Sequence, residues 1–176
     1  MNITFKTEGF RELAEELDEF PKSARNTVLV NSARKALQPI ADRMAELAPY
    51  DPDDRDENGV HLKDTMRVQR ARAKLARAMG VPSKNGVVVL AGPAPKGRRL
   101  RTIALSLEDG TGERFHRTGR PVGSVPAQPY ARPAADSLSG DAIDVVYNEM
   151  KVQMQKAAER IARKAARDAA KAARGG

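Results

Sequence analysis

The chain has 176 residues, enough for one domain with a core of its own, and carries a formal charge of +8 with a pI near 10.0. It contains no cysteine, which excludes disulfides, thiolate metal sites and a cysteine nucleophile, and no apolar run approaches the roughly 18 residues a membrane span requires. Aromatic residues make up only 4% and tryptophan is absent, so the core must be aliphatic and small, while the basic balance points to an anionic partner or a charged assembly surface.

In chain order, Asn2-Ile3-Thr4-Phe5-Lys6 alternates and predicts a short first strand. The acids Glu8, Glu12, Glu15, Glu16, Asp18 and Glu19 argue against a secretory leader. From Thr7 or Glu8, the spacing of Phe10, Leu13, Leu17 and Phe20 predicts a helix that Pro21 ends. A second helix is expected from Pro21-Lys22-Ser23 to about Leu47, buried along Val28, Leu29, Ala33, Leu37, Ile40, Ala41, Met44 and Leu47. Pro39 inside it should kink or break it.

Residues 50 to 58 form a polar loop with Asp51, Asp53, Asp54, Asp56 and Glu57. It lacks the central Gly and terminal Glu of a calcium-loop register, so a solvated loop, or one facing a basic surface on a neighbour, is the better reading. A strand is expected over 65–71, a short helix or a continuation of that strand over 71–79, with the Ala and Lys content favouring helix, a turn at Asn85-Gly86 and a buried strand over 86–91. Residues 92–97 read as a loop. Arg98 to Glu108 reads as a helix with Leu100, Ile103, Ala104 and Leu107 inward.

Residues 110–125 hold four Gly and almost no large apolar side chain, and read as a long loop, free and mobile in the monomer and ordered on assembly. Pro129 to Leu138 should hold a helical turn or two, with Pro133 tolerable only in the first. Ser139-Gly140-Asp141 is expected to break the chain and cap a last helix over 141–173. Ile143, Val146, Met150 and Met154 give that helix a packing stripe. Beyond Lys156 it is Ala, Lys and Arg with Ile161 as the one large apolar residue, which predicts a half that frays or packs on a neighbour.

No catalytic constellation emerges. His61 and His116 are far apart and lack zinc spacing, and neither a phosphate-cradling Gly-x-x-x-x-Gly-Lys-Ser/Thr nor a Gly-x-Ser-x-Gly element occurs. No metal or other cofactor is implied. The informative pattern is electrostatic. No acid lies between Asp64 and Glu108, an interval holding Arg67, Arg70, Arg72, Lys74, Arg77, Lys84, Lys96, Arg98, Arg99 and Arg101. A second basic segment contains Lys156, Arg160, Arg163, Lys164, Arg167, Lys171 and Arg174 against Glu159 and Asp168. Its cations wrap around a helix rather than forming a stripe, which favours a solvated helix over a precise groove reader and leaves non-specific phosphate contact open.

Two elements frame the Gly-rich segment: Ala104-Leu105-Ser106-Leu107-Glu108-Asp109-Gly110-Thr111 and Pro126-Ala127-Gln128-Pro129-Tyr130-Ala131-Arg132-Pro133-Ala134. Their order resembles the small tail-component family of long-tailed phages and prophages, the gene-product-ten-like tail-completion and neck proteins. In that family an Ala-x-x-x-Glu-x-Gly-Thr element and a Pro-Ala-x-Pro-Phe-x-Arg-Pro-Ala element flank a variable polar loop. Tyr130 stands where Phe is usual and Asp109 where an aromatic is usual. Ala48-Pro49 closing a long helix, and Gly59-Val60-His61-Leu62-Lys63-Asp64-Thr65-Met66 leading into a strand, are also similar, so the resemblance spans roughly residues 5 to 138.

The expected fold is α+β: a small, mainly antiparallel sheet of strands near 2–6, 65–71 and 86–91, packed with helices, over residues 1–140, followed by a long C-terminal helix over 141–176. The resemblance implies a non-enzymatic virion protein of the head-to-tail junction, assembled in the host cytoplasm as a six-fold ring between connector or stopper and tail tube. Rings follow from heterologous contacts that close. Subunit or partner contacts are expected from Gly110, Thr111, Arg114, Phe115, Arg117, Arg120, Pro126, Pro129, Tyr130 and Arg132. Contact with DNA in a lumen is expected from Arg98, Arg99, Arg101, Arg160, Arg163, Lys164 and Arg167. The competing reading is a basic protein that binds nucleic acid non-specifically.

Overall fold

The computed structural model describes residues 10–53, 59–81 and 86–174. It is an α+β fold with a long C-terminal helix, as expected. Helix α1 (Phe10–Asp18) leads through a turn to α2 (Lys22–Leu47), and a 3-10 turn over Leu62–Thr65 precedes β1 (Met66–Arg70). Helix α3 (Ala73–Ala78), strand β2 (Val89–Pro93) and helix α4 (Arg98–Asp109) follow. A hairpin of β3 (Arg114–Phe115) and β4 (Pro121–Gly123) then leads to α5 (Ala131–Arg174). The strand expected over 2–6 lies outside the described residues, as do Asp54, Asp56 and Glu57 of the acidic loop and Asn85 of the expected turn.

Strands β1 and β2 form a two-stranded antiparallel sheet, with Met66 opposite Pro93 and Arg70 opposite Val89. Strand β2 therefore starts three residues and ends two residues later than expected and takes in Gly92 and Pro93, which had read as loop. Proline is tolerated there because β2 has a free edge and the Met66–Pro93 pair lies between hydrogen-bonded positions, so position 93 owes no donor to β1. The pairing continues past both ends of β1, with Ala71 N–H donating to the Val88 carbonyl at 2.8 Å and Ala94 N–H to the Thr65 carbonyl at 3.0 Å. Every residue of β2 is half-buried rather than buried, since a ribbon of two strands, covered by α2, has little surface of its own to bury against.

Helix α2 is the hub. It packs along α5 and lies against both β1 and β2. Being covered from two sides, it buries a wider arc than the expected stripe. Val30, Ser32 and Ala36 are buried alongside Val28, Ile40, Ala41 and Met44, while Leu29, Ala33, Leu37 and Leu47 are half-buried. The helix passes through Pro39 without a break: the ring is exposed, and the lost hydrogen bond lies within a helix fixed by packing along its length. It stops at Ala48, whose N–H donates to the Met44 carbonyl at 2.9 Å and whose extended backbone suits the following Pro49.

Two apolar clusters hold these elements. The first joins Ile40, Met44 and Ala48 of the α2 end to Leu62, to Leu100 and Ala104 of α4, and to Tyr130 and Ala134. The second joins Leu13 and Leu17 of α1 and Val28 of α2 to Met150, Met154 and Ala157 of α5. Phe10 meets Tyr147 edge-on at a centroid distance of 5.3 Å, which fixes α1 on α5. Between the clusters, Lys35 pairs with the largely covered Glu149, and Asn31 donates to Gln153 at 3.5 Å.

The expected break at Ser139-Gly140-Asp141 does not occur. Helix α5 runs through it for 44 residues, about 66 Å at 1.5 Å per residue. A glycine inside a helix costs only about 1 kcal/mol relative to alanine. Apolar contacts on both sides, Leu138 and Ala142 in the first cluster and Val146 and Met150 in the second, outweigh that.

Candidate assembly surface

The two elements that frame the Gly-rich segment form one hydrogen-bonded unit. Helix α5 begins at Ala131, so the N–H groups of Tyr130, Ala131 and Arg132 have no partner within the helix, and position 133 is proline, which has no N–H at all. Glu108, in the last turn of α4, takes all three. Its Oε2 accepts from Tyr130 at 2.9 Å and from Ala131 at 2.8 Å, and its Oε1 accepts from Arg132 at 2.9 Å. A carboxylate that is badly placed for the dipole of its own helix is thereby well placed for that of another. Partial burial pushes the Glu108 carboxyl up. The N–H donors at Ala131, Tyr130 and Arg132, with the Arg132 guanidinium charge, outweigh it and hold the group below its ordinary value.

The remaining motif residues have local reasons too. Gln128 N–H donates to the Leu107 carbonyl at 2.7 Å, satisfying one of the free carbonyls at the end of α4. Gly110 has φ of 71°, and a side-chain carbon there would sit 3.0 Å from the Ala127 nitrogen, so both conformation and space require glycine. Thr111 N–H donates to the Val125 carbonyl and its hydroxyl accepts from Val125 N–H, each at 2.9 Å. Tyr130 is 1% exposed, with its hydroxyl 3.4 Å from the Ala104 carbonyl; burial, then the Glu108 charge, push its phenol up to about 12.

Above this base the chain is not an irregular loop but a hairpin. Arg114 pairs with Gly123 and Phe115 with Pro121 across an irregular register. Its turn is closed by Gly119 N–H donating to the His116 carbonyl at 2.8 Å and His116 N–H donating to the Arg120 carbonyl at 2.7 Å. Gly119 takes the left-handed conformation, φ 81°, that such a turn requires. Residues 112–124 are all exposed, including Phe115 at 61% and Val122 at 52%.

The expected contact residues thus divide. Arg114, Phe115, Arg117 and Arg120 stand on the exposed hairpin, and Pro126, Pro129 and Arg132 are exposed beside it. Gly110 and Thr111 are half-buried at the base, and Tyr130 belongs to the core of its own domain, with no surface left to offer. Arg98, Arg99 and Arg101 are exposed in the first turn of α4, while Arg160, Arg163, Lys164 and Arg167 are exposed on α5. The capping role of Glu108 escaped sequence reasoning. Its signal was present in the proline three residues into a helix that has no capping side chain of its own.

The His61 ring lies against Tyr50 at a centroid distance of 4.8 Å, tilted by 49°, beside a cavity of about 270 Å³ lined by Leu62, Ile103, Leu107, Asp51 and Gln128. Among the described residues no cluster of His, Asp and Glu could hold a metal ion, and no helix is long and apolar enough to cross a membrane. Comparison with known proteins gives no matching family model, no matching curated protein and no matching solved structure.

Proposed function

We propose that this chain is a structural, non-enzymatic virion protein of the phage head-to-tail junction, a tail-completion or neck protein that assembles as a ring between connector and tail tube. One observation carries the reading. The two sequence elements behind the resemblance, twenty-odd residues apart, meet in a single unit: Glu108 holds the start of the element containing Tyr130 and Arg132, and Thr111 clamps Val125. That unit raises a hairpin whose exposed Phe115 and Val122 sit among Arg114, Arg117 and Arg120, a composition suited to contact with a neighbouring subunit. The hairpin of one copy would meet a different surface of the next, a heterologous contact that can close a ring of six.

The test is mass by light scattering of the chain alone and with connector or tail-tube protein, followed by electron microscopy of the assembled particle. A symmetric ring is expected. A lone, non-symmetric copy in the particle overturns the reading.

The second reading, non-specific nucleic-acid binding, is favoured by the outer part of α5. Residues 158 to 173 are all exposed, and Arg160, Arg163, Lys164, Arg167 and Lys171 lie among them. Both readings share phosphate contact without base recognition.

A further inference from the structure

The stretch from Phe20 to Ala41 contains no acid. Within it, Ser23, Asn26, Thr27, Asn31 and Arg34 recur at the spacing of one helix face, along the first half of α2. This face lines an open groove of about 420 Å³, floored by Val30, into which β1 contributes Arg70. Ser23 and Thr27 also line an adjoining groove of about 190 Å³, where α5 contributes Arg160 beside Ala157 and Ile161. Ser23 and Thr27 line both grooves, so three arginines from three elements border this two-part channel, and among the described residues no carboxylate lines either part. Among the described residues neither Arg34 nor Arg70 has an acidic partner.

The channel also begins at the positive end of a helix 26 residues long whose first turn carries no acid and whose start has no side-chain cap. Neutral donors lie between the cations: the Ser23 hydroxyl and the Asn26 amide. Thr27 has committed its hydroxyl proton to the Ser23 carbonyl at 2.8 Å.

We propose that this channel is a binding track for the phosphate backbone of duplex nucleic acid. Ser23 to Arg34 spans about 16 Å along α2, the rise of about five base pairs. Among the described residues no aromatic side chain lines either groove, so the track shows none of the stacking platforms that single-strand binders use. Around Arg34 and Arg70 the lining is polar apart from Val30, which suits phosphate better than an acidic protein surface, whose docking calls for an apolar anchor beside the charges; the apolar lining lies in the other part, beside Arg160. The track deepens the phosphate-contact reading and is independent of the ring.

The probe is a short labelled duplex of arbitrary sequence, followed by fluorescence anisotropy between about 50 and 200 mM salt. The full chain should bind two unrelated duplexes equally, with affinity falling steeply as salt rises. Replacing Arg34→Gln together with Arg70→Gln should weaken binding about ten-fold and make the logarithmic salt dependence shallower by about two. The melting temperature should not move, because both side chains are exposed. Adding Arg160→Gln should extend the loss. Inorganic phosphate at equal ionic strength should not displace the duplex. Failure of the unaltered chain to bind duplex, an unchanged affinity in the double variant, tighter binding of a single strand or of polyglutamate, or displacement by free phosphate would each overturn the track. Mass measured in parallel keeps that outcome separate from the ring.

Discussion

Glu108 caps the helix that Tyr130 introduces: one carboxylate on α4 accepts the N–H groups of Tyr130, Ala131 and Arg132, and Pro133 removes the need for a fourth partner. Hydrogen bonds to a charged acceptor contribute about 1.5–3 kcal/mol and helix caps about 0.5–2 kcal/mol. Glu108→Ala should therefore lower unfolding stability by about 2–3 kcal/mol in urea denaturation. Glu108→Gln should recover part of this, because the amide keeps one acceptor oxygen but turns an NH₂ toward the other donors. The pH dependence follows from the depressed carboxyl. Its contribution is complete above the ordinary value of 4.5 and is lost as pH falls through the lower folded value. The acid limb of the stability curve should flatten in Glu108→Ala; an unchanged limb would contradict the cap.

Tyr130 separates packing from polarity. Tyr130→Ala empties a site that is 1% exposed and should cost about 3–5 kcal/mol. Tyr130→Phe removes only a hydroxyl 3.4 Å from its acceptor and should cost under about 1 kcal/mol. The phenol is raised from 10.0 to about 12, so its contribution is intact below pH 10 and is lost as pH rises toward 12, where the unfolded chain ionises first. Thermal melts across that range should show a steeper alkaline loss in the native chain than in Tyr130→Phe.

The parts of the fold legible in the sequence are those where one local pattern decides. The start and end of α2 and the Leu100–Ala104 face of α4 follow from apolar spacing and from proline. Burial of Val30, Ser32 and Ala36 was not legible, because it depends on α2 being covered from two sides. The break placed at Gly140 failed for the same reason: a weak local signal gave way to packing on either side. At the candidate surface the motif residues were legible, but their division of labour was not. Glu108 acts across a gap of twenty-odd residues, and the hairpin depends on a turn at Gly119 that carries few apolar neighbours to announce it.

The hairpin should matter to assembly and not to folding. Phe115 and Val122 are 61% and 52% exposed, so replacing both with serine should change stability by no more than about 0.5 kcal/mol. If the hairpin seats on a neighbouring subunit, the same double change should leave the chain monomeric under conditions in which the unaltered chain assembles. Calorimetry and light scattering on one preparation give both readouts. Assembly that survives the substitutions would move the contact elsewhere.

Helix α5 changes character along its length. Met150, Met154 and Ala157 are at most 6% exposed, whereas every residue from 158 to 173 is exposed. A cut after Gln155 would remove Ala157 from the second cluster, so the informative truncation falls after Ala158. Alanine-rich helices have favourable propensity, but a segment under about twenty residues is marginal in water without packing. The outer segment keeps its helix by extending one already docked, while its cations repel one another. Truncation after Ala158 should leave the melting temperature unchanged and weaken duplex binding, since it removes Arg160, Arg163, Lys164 and Arg167 together. Hydrogen exchange on the full chain should show weak protection over 160–172, rising when duplex is added at low salt and falling again as salt screens the charges. Strong protection of those amides in the free monomer would mean that the segment is covered by its own domain, and would remove it from any account of partner binding.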